Sequence, residues 1–131
     1  MKFASADPQK PTAAFWELVD LGRRKPDACL ARLAELDTPE LVDLYWAYKD
    51  AADLLREPEY YEYMTGITSE DGIADLASWI VAQGKEYYQR ILAHPEKVPT
   101  EEPEPYFDLE SAAVEEHIER HGDGIPWRDP S

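Results

Sequence analysis

The apolar residues Leu41, Leu44, Tyr45, Tyr48, Ala52 and Leu55 stand at offsets 0, 3, 4, 7, 11 and 14. Such spacing draws one continuous stripe along a helix of 3.6 residues per turn, whereas on a strand it would split between the two faces. No stretch of the chain alternates apolar and polar residues over a useful span, so helices have to supply the core elsewhere too. The sequence predicts an all-α fold: a compact bundle of five to six helices with an acidic Pro-rich extended segment before the last.

Capping and breaking residues divide the chain. Residues 1–11 are polar, hold Pro8 and Pro11, and read as a flexible N-terminal arm. Thr12 is placed to cap a first helix with Phe15, Leu18 and Val19 on one face, closed by Gly22 and the cations Arg23–Lys25. Pro26 opens a second helix bearing Cys29, Leu30, Leu33 and Leu36. Asp37-Thr38-Pro39-Glu40 starts a third, with Thr38 as the expected N-cap; Pro58 ends it near Arg56. Ser69 caps a helix with Glu70 and Asp71 in its first turn and Ile73, Leu76, Ala77 and Ile80 inward. Gly84 separates it from a fifth helix over Lys85–Leu92 that Pro95 stops. The main helical domain thus covers 12–94, with helix 69–84 at its centre. Residues 95–108 hold four prolines and mainly acidic charge, an extended connection whose far end Tyr106 and Phe107 anchor. Residues 109–131 form a last helix, ended by Gly122, and a tail with Ile125 and Trp127 that packs on the same domain.

Charge limits the partners. The net charge is −15 over 131 residues. It disfavours nucleic acid and anionic membrane, both polyanions, and steers the chain toward basic surfaces. Cys29 is the single cysteine, so no intrachain disulfide forms, as suits a reducing compartment. No apolar run approaches a membrane span, and the N-terminus lacks the apolar core of a signal peptide. A cytoplasmic location is expected.

No segment carries a strong catalytic motif. His117 and His121 lie one helical turn apart, but the order H-I-E-R-H is not that of the zinc metalloproteases, and a role at the helix end explains the pair. Ser69-Glu70-Asp71-Gly72 lacks the alternating acids of a calcium loop. Cys29 sits on an apolar helix face and reads as an inert thiol. Gly66, Gly72 and Gly84 are too far apart for a phosphate-binding loop. No metal and no cofactor are expected. The segment 59–68 is the ambiguous one. Tyr60, Tyr61, Tyr63, Met64 and Ile67 are too apolar for a free loop. A helix continuing into a turn at Gly66 is the first expectation, a buried irregular segment the second. The candidate ligand or partner contacts are Tyr60, Tyr61, Tyr63, Ser69, Glu70, Asp71 and Trp79, where this segment meets helix 69–84.

Three stretches carry a family likeness: FWELVDLGRR at 15–24, LDTPELVDLYWAYKDAADLL at 36–55, and SEDGIADLASWIVAQGKEYYQRILAHPEKV at 69–98. With Ser69, Asp71, Gly72, Trp79, Ile80, Gly84, Tyr87 and Pro95 in place, residues 13–121 resemble the bacterial domain-of-unknown-function family number 4240. Ile73 stands where that family usually has an aromatic residue, and Thr65-Gly66-Ile67 replaces a longer glycine-rich stretch. The resemblance implies one compact domain and no particular reaction.

Two functional readings follow. The first is a non-enzymatic acidic protein-binding module of the bacterial cytoplasm, of the immunity or regulatory accessory kind, acting on a basic protein partner. The alternative is a small-molecule-binding protein or enzyme with a pocket between 60–68 and helix 69–84. A weaker third reading joins copies of the chain through Ile125–Trp127.

Overall fold

The computed structural model describes residues 2–67, 69–101 and 103–128. Among them lie seven α-helices and no strand: α1 Ala13–Arg24, α2 Pro26–Glu35, α3 Thr38–Leu54, α4 Pro58–Tyr61, α5 Glu70–Ala82, α6 Lys85–Ala93 and α7 Leu109–His121. A 3-10 turn spans Pro95–Lys97. The helix count exceeds the expected five to six because Pro58 starts an additional single turn, α4, after α3 has ended.

Local chemistry starts the helices. The Thr12 hydroxyl accepts from the Phe15 amide at 3.3 Å, Ser69 from Gly72 at 3.0 Å, and Asp108 from Ser111 at 3.1 Å. At α3 the N-cap is Asp37 rather than Thr38. The Asp37 carboxylate accepts from the Glu40 amide at 2.8 Å, and the Glu40 carboxylate accepts from the Asp37 amide at 3.0 Å. Only the residue three before Glu40 can complete this reciprocal box, which moves the start back by one. The break between α5 and α6 falls at Gly84, whose φ of 103° is a left-handed value that costs glycine little.

α3 packs against α5 on one side and α7 on the other, while α1 rests on α2 and α5. The centre is therefore shared by α3 and α5, not held by helix 69–84 alone. Two buried tyrosines tie it together: the Tyr48 hydroxyl donates to the Ser78 carbonyl and the Tyr88 hydroxyl to the Ala51 carbonyl, each at 2.7 Å. Their rings join Phe15 and Trp16 in an aromatic cluster, with Phe15–Tyr48 centroids 6.0 Å apart and Trp16–Tyr88 5.5 Å. Tilted contacts of this kind add to the burial of the rings.

Both ends lie on the body. Within residues 1–11, expected as a flexible arm, Phe3 lies in the core at 2% exposure. The Phe3 amide donates to Asp43 at 2.7 Å, and its carbonyl accepts from the Thr12 amide at 3.0 Å. The tail turns at Gly122, whose φ is 82°. Ile125 packs on the core, and Arg128 forms a two-pronged pair with Asp50 at 2.6 and 2.9 Å. Trp127 does not tuck in with Ile125; it is 90% exposed. No helix of the described residues is long and apolar enough to cross a membrane.

Candidate functional site

After α3 the chain runs one helical turn and then a series of tight turns. The Tyr63 amide donates to the Tyr60 carbonyl, Met64 to Tyr61, and Ile67 to Met64, all at 3.0–3.1 Å. Tyr60, Met64 and Ile67 point inward, while Tyr61 and Tyr63 are 41% and 46% exposed. Thus residues 59–67 are part helix and part buried irregular chain, with two tyrosine rings left outside, and Thr68 lies outside the described residues. Gly66 lies directly on the Pro-rich connection: a Cβ there would come within 1.7 Å of the Thr100 carbonyl oxygen.

The seven candidate residues separate. Tyr60 belongs to the core, with its hydroxyl 3.5 Å from the Leu92 carbonyl. Ser69 is spent on capping α5. Glu70 and Asp71 are exposed in the first turn, on the same stretch as Tyr61 and Tyr63. Trp79 stands apart from all of them. Half-buried, it packs edge-on against Tyr87 at 5.7 Å and lines a cleft of about 330 Å³ with Arg23, Gln83, Tyr106 and Phe107. Tyr60, Tyr63 and Asp71 do not line that cleft.

One signal in the sequence goes beyond its total charge. Residues 57–84 contain no Lys or Arg, and neither do residues 98–108. In the first stretch Glu57, Glu59, Glu62, Glu70, Asp71 and Asp75 are exposed; in the second, Glu101 and Glu104. The two stretches adjoin, through Gly66 on Thr100 and through the Tyr106 hydroxyl, 3.5 Å from the Asp75 carbonyl. Ion pairs lie elsewhere, at Lys2–Glu40, Lys49–Asp53, Arg56–Asp53, Arg120–Glu116 and Arg128–Asp50. Among the described residues, none of these eight exposed carboxylates pairs with a cation. The result is an uncompensated acidic surface carrying the rings of Tyr61 and Tyr63.

Other chemically capable groups are engaged structurally. The buried His117 ring donates through Nδ1 to the Asp123 carbonyl at 2.8 Å and so holds the start of the tail. His121 Nε2 lies 3.0 Å from the Thr38 hydroxyl. The two rings are 4.7 Å apart, but no group of three or more His, Cys, Asp or Glu among the described residues is arranged to hold a metal ion. The Cys29 thiol faces the Leu18 carbonyl at 3.6 Å, and burial pushes its pKa up to about 11 against a smaller opposing effect of Arg32. Such a thiol is a poor nucleophile near neutral pH.

No curated protein and no solved structure matches this chain. The profile of the family described as "Protein of unknown function (DUF4240)" matches residues 11–118, a span that takes in α1 to α6 and most of α7. The chain belongs to that family.

Proposed function

We propose that this chain is a non-enzymatic binding module of the bacterial cytoplasm that recognises a basic protein partner, in the manner of an immunity or regulatory accessory protein. The observation that carries the reading is the surface around α4 and the start of α5. There, eight exposed carboxylates stand without a cation, and Tyr61 and Tyr63 are exposed beside them. Carboxylates without internal partners steer a basic surface and pair with it on arrival. Tyrosine rings supply anchors that are apolar on the face and polar at the tip, the type favoured at the centre of interfaces. The pocket reading has less support, because Gly66 abuts Thr100 and Tyr60 faces the core, which leaves 60–67 packed on the body.

Capture from a native extract of the source cells tests the reading. A stoichiometric partner of high isoelectric point is expected at low ionic strength, and its recovery should fall steeply as salt rises, since screening acts on exposed charge. A partner that is retained unchanged at high salt, or no stoichiometric partner at low salt, contradicts it.

A further inference from the structure

The cleft that holds Trp79 meets the acidic surface at Glu104 but has different chemistry. Its walls are the rings of Trp79, Tyr106 and Phe107. Burial pushes the Tyr106 hydroxyl up to about 12, so it stays an uncharged phenol near neutral pH. The cation among the lining residues is Arg23, which donates through Nη1 to the Gln83 carbonyl at the end of α5. A guanidinium has five N–H donors, so this contact fixes the group in place and leaves others to offer. No carboxylate of a described residue pairs with Arg23, and Arg24 and Lys25 follow it directly in sequence. Arg23 thus sets one cation beside aromatic walls on a chain that is otherwise strongly acidic.

A volume of about 330 Å³ is at the lower end of that of small-ligand pockets. A planar guanidinium matches a carboxylate in a two-pronged arrangement, and aromatic walls favour a flat apolar body. The geometry points to a binding site for a small planar aromatic carboxylate, with its ring among Trp79, Tyr106 and Phe107 and its carboxylate on Arg23. Glu104, the one carboxylate among the lining residues, opposes such a ligand and weakens its binding. Of the eight surface carboxylates the site shares Glu104 alone, as a group that opposes its ligand, so either reading can fail without the other.

Three probes that share the indole ring and differ in charge test it by amide and indole NMR shifts on the full chain: indole-3-carboxylate, neutral indole and cationic tryptamine. Indole-3-carboxylate is expected to shift the signals of Trp79, Gly22 and Phe107 at millimolar concentration, with the other two binding more weakly. Arg23→Gln should weaken it by roughly tenfold or more, the scale of one hydrogen-bonded contact to a charged group. Glu104→Gln should tighten it, an effect that no loss of folding can imitate. The site is overturned if those signals do not move, if tryptamine binds as well or better, or if Arg23→Gln leaves the affinity unchanged in a folded protein. Should Arg23→Gln disturb the fold, the exposed Glu104→Gln decides alone, and an unchanged or weakened affinity overturns the site.

Discussion

Tyr48 and Tyr88 bury whole rings and still place each hydroxyl on a carbonyl of a neighbouring helix. Phenylalanine at either position keeps the ring and removes the bond. Each substitution should cost about 1 kcal/mol, the net value of such a bond, read as a lower urea midpoint at unchanged slope. Glu110 is a contrary case. Burial raises its pKa, and Lys49 opposes the rise only in part. A carboxyl whose pKa is higher in the folded state holds its proton more tightly there. Its contribution is therefore fully present below its unfolded pKa and is lost as pH rises through its folded pKa. Glu110→Gln should stabilise the chain near neutral pH and change little below about pH 4, where the glutamate is itself protonated. Urea unfolding at the two pH values checks this; destabilisation at neutral pH would count against it.

At the scale of elements, what could be read from sequence was the chemistry that acts within one turn. Thr12, Pro26, Ser69 and Gly122 all stand where cap and breaker rules put them. The start of α3 was misplaced by one residue because Asp37 and Thr38 are both good caps, and only the distance to Glu40 separates them. Contacts distant in sequence were not legible. Phe3 is one apolar residue in a polar arm, and its place in the core depends on Asp43 of α3. The direction of Trp79 depends on α1 and on residues 105–107, so the expected convergence with Tyr60, Tyr63 and Asp71 could not be judged from spacing. Gly66 makes the same point and can be tested. A Cβ there meets a backbone carbonyl, which no change of side-chain rotamer relieves. Gly66→Ala should destabilise by about 1–3 kcal/mol, as overpacking does. Gly124→Ala, where a Cβ would meet nothing within 4 Å, should fall within about 0.5 kcal/mol of the parent. Thermal or urea unfolding of the pair reads the difference.

Over the whole molecule, the net charge of −15 is distributed unevenly. The paired cations lie around α3, α7 and the ends, while the region from α4 to the start of α5 contains no Lys or Arg. Total charge was plain in the sequence; its grouping into one uncompensated surface needed the packing of 57–75 against 98–106. Crowded like charge weakens the free protein and, in the function proposed above, draws a basic partner, so salt should act in opposite directions on the two. Moderate salt should raise the unfolding midpoint of the free chain while weakening the complex. The most direct measurement is partner capture by two double variants matched in charge: Glu59→Lys with Glu62→Lys beside Tyr61, and Glu115→Lys with Glu119→Lys on α7. Loss of the partner with the first pair and retention with the second is the result predicted here. Equal loss with both, or retention with the first, would contradict it.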